Sequence, residues 1–237
     1  MNSVKIQTLT ILASAALLTL SACAQIGSDQ VEASAVYGDI QLDRKEASSS
    51  ATISATFFVG GPTGTVLRLE SPASLSVNGQ GSSAINDPIL NMVSYEKNVS
   101  TSHATNTVVY TDKDGGTYTN TLMMPGQFSI SSVPGQISKA SGFTISYNSD
   151  TPFLSGEEFE ITLESHQSSN FEEYALVTGA QSGTQFISAH ELAELELGTI
   201  TIHICRESHP APQATYPKGT QITVSSCSND RTVQLIP

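Results

Sequence analysis

The chain has 237 residues, a formal net charge of −12, 38% hydrophobic and 14% charged residues, and no tryptophan. Serine (34) and threonine (25) supply about a quarter of it. That balance excludes a charged disordered tail and a coiled coil, and ten Lys and Arg residues against 22 acids argue against nucleic acid as a partner.

Met1 to Lys5 is a short, singly positive segment, and Ile6 to Leu20 is an apolar run too short for a comfortable membrane span of ~20 residues. The run ends in Leu20-Ser21-Ala22-Cys23. This leader resembles the lipobox of bacterial lipoproteins, in which a small residue precedes a cysteine that is lipidated and becomes the new N-terminus. The resemblance covers the leader alone. It implies loss of residues 1–22, lipidation of Cys23 and attachment to a membrane through the N-terminal lipid. Removing residues 1–22 takes away Lys5 and no acid, leaving 9 basic against 22 acidic residues, a net −13. Acyl chains contribute ~0.8 kcal/mol per buried CH₂, so a multiply acylated cysteine anchors stably. Ala24 follows Cys23. In lipoproteins of the enteric type an Asp there marks inner-membrane retention, so the resemblance implies the outer membrane.

Residues 23–33 read as a lipidated tether, polar from Gln25 to Ala33. After it, alternating segments bounded by turn residues recur to the end, the signature of an all-β chain. Ala51–Val59 and Thr65–Leu69 flank a Gly/Pro-rich break, and Ser74–Val77 leads into Asn78-Gly79, a tight-turn signal. Ile89–Tyr95 follows, then Thr105–Thr111 and Thr117–Met123, which read as a hairpin about Asp112–Gly116. Pro125-Gly126 and Pro134-Gly135 bracket Gln127–Val133 and mark a boundary in or just after it, giving β-sandwich domains at 34–134 and 135–237. Further strands are expected at Phe143–Tyr147, Glu158–Glu164, Tyr174–Thr178, Thr199–Cys205, Thr220–Cys227 and Arg231–Ile236.

One helical signal interrupts the second half. Ser188-Ala189-His190-Glu191 fits a capping box, Leu192 and Leu195 share a face, and Gly198 ends the turn. The run Leu195–Ile202 resembles the link between the fifth and sixth strands of fibronectin type III and immunoglobulin-like sandwiches, which implies that architecture and no activity. The tyrosine usual near the start of that strand would fall at about Thr201, so the tyrosine corner is missing.

Cys205 and Cys227 are the cysteines left once Cys23 is lipidated, in a compartment that permits disulfides. Alternation turns Cys205 away from Ile200, Ile202 and Ile204, and Cys227 away from Ile222 and Val224. A plain hairpin opposing Ile202 to Val224 would put the cysteines at opposite ends. Pairing of Arg231–Ile236 with Thr199–Cys205 would bring them together, stapling the second domain.

The remaining constellations are thin. His203, Cys205 and His209 lack a fourth zinc ligand, and Asp112-Lys113-Asp114-Gly115-Gly116 lacks the glutamate an EF-hand requires, Met123 standing there instead. Ser94-Tyr95-Glu96-Lys97 matches S-x-x-K without the S-D-N and K-T-G elements. Glu158, Glu160 and Glu164 alternate onto a solvated strand face, unlike glycosidase carboxylates that converge across a cleft. No catalytic residue, cofactor or metal is therefore expected. The expectation is a non-enzymatic, lipid-anchored structural or interaction module of the cell envelope, with an envelope protein as partner. The alternative is a small-ligand or glycan-binding lipoprotein, using Tyr95, Tyr110, Tyr118 and Tyr147 as a platform.

Overall fold

Residue alternation sets the architecture. In the computed structural model, residues 25–151, 157–168, 171–178 and 183–237 are described; the leader and Cys23 lie outside the described residues. The first strands are β1 (Gln25–Gly27), β2 (Val36–Lys45), β3 (Ser50–Val59), β4 (Thr65–Arg68), β5 (Ser74–Val77), β6 (Gln80–Gly81), β7 (Ser83–Asp87), β8 (Met92–Ser100), β9 (Thr105–Thr111) and β10 (Thr117–Met123). They are followed by β11 (Phe128–Ser132), β12 (Gln136–Ser138), β13 (Phe143–Ser149), β14 (Glu158–Ser168), β15 (Phe171–Thr178), β16 (Thr184–Ile187), β17 (Gly198–Ser208), β18 (Thr220–Cys227) and β19 (Arg231–Ile236). The chain is nearly all β, as its turn-bounded alternating segments imply.

Two hydrophobic cores form. In the first, Ile40 and Leu42 of β2 and Ile53, Ala55 and Phe57 of β3 lie on one face, packed with Leu75, Val77, Val108, Tyr110 and Leu122 from the β10-β9-β5-β6 sheet. In the second, Ile161 and Leu163 of β14, Ile200, Ile202 and Ile204 of β17 and Leu235 of β19 pack with Phe128, Ile145, Tyr147 and Ile187 of the β11-β13-β16 sheet. Each core is thus sandwiched between sheets, every second side chain pointing inward as the pleat requires.

Local signals translate directly. Asn78 and Gly79 both take positive φ (51° and 75°) in a two-residue turn that opposes Val77 to Gln80. β9 and β10 form the expected hairpin, Thr111 opposite Thr117. The capping box also forms: Glu191 Oε2 accepts from the Ser188 amide (2.6 Å) and from its hydroxyl (2.8 Å). Leu192 and Leu195 are buried behind it, but the segment closes as successive turns, with Leu195 N–H donating to Leu192 O at 3.1 Å, rather than as a helix.

Three further features depart from the sequence reading. Residues 25–33 are packed, not tethering: β1 pairs parallel with β4, and the Ser28 hydroxyl accepts from Glu70 N at 2.8 Å. The segment read as a strand from Ile89 instead begins with the turn of a β7–β8 hairpin, because Asp87 bonds the Ile89 and Leu90 amides and holds them out of the ladder. Most consequentially, β18 leaves the second half of the chain and pairs parallel with β2 over its whole length, from Thr220 opposite Gly38 to Cys227 opposite Lys45. Tyr216, Ile222 and Val224 therefore lie in the first core. β17 joins the two halves, its start pairing with β19 and its end with β18. Among the described residues one sheet of twelve strands results, running through both cores.

Candidate functional site

The exchange of β18 creates a seam where polar side chains concentrate. Cys205 and Cys227 stand directly opposite each other, their Cα atoms 4.1 Å apart, and form a disulfide. The pairing of β19 with β17 that brings them together is the second of the two arrangements the sequence allowed. The bond does not staple the second domain alone, however. It fastens β17, whose isoleucines lie in the second core, to β18, whose apolar residues lie in the first. The parallel docking of β18 on β2 is the physical reason.

Beside the disulfide the sheet carries a row of acids. Glu158 opposes Glu207, Glu207 opposes Ser225, and Ser225 opposes Asp43. The Ser225 hydroxyl donates to Asp43 Oδ1 at 2.6 Å. Partial burial, then repulsion from Glu160, Glu158 and Asp43, pushes the Glu207 carboxyl above its ordinary range, and His209 partly offsets this. The His209 ring is used twice, Nε2 lying 3.1 Å from Glu207 Oε1 and Nδ1 3.3 Å from Thr223 Oγ1. With Cys205 bound to Cys227, the imagined His203–Cys205–His209 ligand set loses its thiolate. Among the described residues no group of three His, Cys, Asp or Glu side chains is placed to hold a metal ion.

Arg206 is a feature that sequence reasoning missed. It shares the inward phase of Ile200, Ile202 and Ile204 and is 3% exposed. Its guanidinium meets Glu157 Oε2 at 2.6 Å, Ser149 Oγ at 2.7 Å and Thr151 Oγ1 at 3.0 Å. A buried cation needs acceptors such as these, and here they tie the end of β13 to β17. The signal available was parity alone: Arg206 continues the isoleucine positions.

The loop that carries the chain across from β17 to β18 is also held. Asn120, fully buried on β10, accepts from Gln213 N (2.8 Å) and Ala214 N (3.0 Å) and donates to Ala214 O (3.0 Å). Tyr216 then enters the first core against Phe57, Tyr110 and Tyr118, and burial pushes its phenol pKa upward. Gly38 makes room for that ring, since an added Cβ would run into it.

The other sequence candidates resolve as structural groups. Asp112 is 5% exposed and its Oδ1 accepts from Asp114 N (2.9 Å) and Gly116 N (2.7 Å), which closes the hairpin tip. Asp114 faces the Lys113 ammonium at 3.0 Å. Ser94 and Lys97 fall on opposite faces of β8, so they do not converge as a nucleophile and base would. Glu158 and Glu160 are exposed on β14 as alternation requires. The tyrosine platform does not exist as imagined: Tyr95, Tyr110 and Tyr147 are buried, and Tyr118 stacks on Tyr110 with ring centroids 5.9 Å apart. Apolar side chains are instead exposed at the β7–β8 tip, Ile89 at 91% and Leu90 at 58%.

No family model matches the chain, and neither does any curated protein. Among solved structures it is similar to a tetra-tandem repeat in the extending region of a large adhesion protein, at 14% identity and a TM-score of 0.25 over 83% of this chain and 49% of that one. It is similar also to the FN1–FN3 domains of chicken CNTN1, at 12% identity and a TM-score of 0.26 over 83% and 66% of the two chains. A third is the structure bearing on host cell surface retention of a 1.5-MDa bacterial ice-binding adhesin, at 12% identity and a TM-score of 0.24 over 85% and 65%. The chain spans about half to two thirds of the length of these structures. Likenesses of this size identify neither a ligand nor a partner.

Proposed function

We propose that the protein is a non-enzymatic interaction module of the bacterial cell envelope, held in the outer membrane by a lipid on Cys23 and meeting an envelope protein through its loops. The Cys205–Cys227 disulfide is the observation that supports it most directly, because such a bond persists outside the reducing cytoplasm. The leader ending in Leu20-Ser21-Ala22-Cys23 accounts for export and attachment. The buried polar side chains at the seam are engaged in holding the chain, Arg206 with Glu157 and Asn120 with the 213–214 loop. In this reading the domains follow the cores and not the chain order, the first sandwich taking β18 in addition to β1–β10. The glycan-binding alternative rests on exposed tyrosines and Ser/Thr-rich faces, and the burial of Tyr95, Tyr110 and Tyr147 takes away most of the tyrosine platform.

The test is direct. Mass spectrometry of membrane-extracted protein should show loss of residues 1–22 and added acyl mass on Cys23, and the Cys23→Ala variant should lack that mass and leave the membrane fraction. An acylated, membrane-bound Cys23→Ala protein would refute the anchor. Crosslinking in intact envelopes should recover one specific protein partner, and its failure to do so would count against the interaction role.

A further inference from the structure

We infer that the β7–β8 hairpin tip, carrying Ile89 and Leu90, is a membrane-docking point that dips into the lipid surface beside the acylated cysteine. The inference rests on the lipid-anchor reading and adds to it a second, non-covalent contact.

The tip is built to present apolar side chains without exposing backbone need. Asp87 Oδ1 accepts from the amides of Ile89 (2.8 Å) and Leu90 (3.0 Å), and Asn91 closes the turn with φ of 50°. Two amides that would otherwise demand water are satisfied within the turn, which lowers the cost of entering an apolar interface. Ile89 is 91% exposed and Leu90 58%, and Ile85 on the same hairpin is 47% exposed. Single exposed apolar residues are ordinary, but adjacent ones on an internally braced turn mark a contact surface.

The place of the tip says what it contacts. The Gln25 side-chain amide donates to the Asn91 carbonyl (3.1 Å) and to Asn91 Oδ1 (3.3 Å), so the start of the described chain is fastened to this turn. One residue, Ala24, separates Gln25 from Cys23. Two residues of extended chain reach at most about 7 Å, so an acylated Cys23 enters the bilayer within that distance of Gln25. The strand register agrees. Gln25 opposes Val66, and Val66 opposes Phe58 near the end of β3. β8 runs antiparallel to β3, Ser50 opposite Ser100 and Ala55 opposite Tyr95, which carries its first residue, Met92, toward that same end. Cys227 and Lys45 lie at the opposite end of the paired strands.

A mature chain of net −13 gains no attraction from an anionic bilayer, so the contact is apolar and a neutral phosphatidylcholine surface is the appropriate probe. Docking at two adjacent points restricts how the molecule can swivel about its lipid. It turns the Gly60–Gly64 loop toward the membrane and leaves the seam with the second core away from it.

The chain contains no tryptophan, so one introduced at the tip reports alone. Mature acylated Leu90→Trp protein would be placed in phosphatidylcholine vesicles, with Phe186→Trp on β16 of the second core, 55% exposed in the parent residue, as reference. Leu90→Trp emission should shift to the blue relative to its Cys23→Ala form in water, and brominated acyl chains should quench it severalfold more than Phe186→Trp. Ile89→Trp provides an independent reporter should the first variant fold poorly. Water-like, unquenched emission from both tip variants, in protein that carries acyl mass and floats with the vesicles, would overturn the docking inference and leave the anchor standing. Protein that carries no acyl mass and does not float would remove the anchor and this inference together.

Discussion

Replacing Cys205 and Cys227 together by serine probes the seam. The two cysteines are 22 residues apart in sequence, and the loop-entropy relation gives a bond closing such a ring about 3 kcal/mol, acting mainly on the unfolded chain. Both side chains are only half-buried, so serine hydroxyls at these sites add little desolvation cost. For a chain of this size about 1 kcal/mol shifts the melting temperature by roughly 2–4 °C, so the double variant should melt roughly 6–12 °C lower with an unchanged far-UV spectrum. Amide hydrogen exchange then locates the loss. β18 contacts β17 over only four opposed positions, Cys205–Ser208 against Val224–Cys227, while its full length lies on β2. Protection should therefore fall in β18 and β2 as well as at the end of β17. A melting temperature within about 2 °C of the parent, too little for a ~3 kcal/mol bond, would refute the reasoning. So would losses confined to β14, β17 and β19.

Other substitutions test the supports of this arrangement. Gly38→Ala places a methyl group against the Tyr216 ring and should cost about 1–3 kcal/mol, read by urea unfolding, whereas Gly81→Ala, which meets nothing within 4 Å, should cost much less. Arg206→Ala takes the guanidinium from the largely buried Glu157, opens a cavity and should destabilise by about 3–5 kcal/mol; an Arg206→Met, Glu157→Gln pair should recover much of that, because both charges are removed together. Glu207 binds a proton more readily in the folded than in the unfolded chain, so stability should rise as pH falls through its raised pKa. Glu207→Gln should remove that rise and stabilise the protein at neutral pH by less than about 1 kcal/mol, since solvent screens a half-exposed group; an unchanged pH profile of melting would contradict the crowding of acids at the seam.

Much of the local structure could be read from the chain because it depends on near neighbours. The Asn78-Gly79 turn needs two residues that tolerate positive φ, and the capping box needs a serine and a glutamate three apart. Inward and outward faces follow from alternation, so Glu158 and Glu160 fell on the solvated side and Phe159, Ile161 and Leu163 on the core side, where they are found. The tyrosines were misread for a related reason: alternation shows that residues share a face but not whether another sheet covers it, and Phe57 and Tyr216 reach Tyr110 from strands and loops far away in sequence.

By itself the sequence determined the all-β character, the Asn78-Gly79 turn, the β9–β10 hairpin, the phase of the strands it marked and the cysteines that could meet. Only the tertiary structure decided partners at long range. β18 has the same alternating pattern whether it continues the second sandwich or borders β2, and the Thr220–Gly38 pairing spans the length of the mature domains, so no local preference encodes it. Likewise Arg206 continues an isoleucine phase that reads as core, and only the approach of Ser149, Thr151 and Glu157 makes a buried guanidinium tenable there. Strand pairing is specified by which faces are buried together once the sheets pack, a property of the assembled cores and not of any one segment.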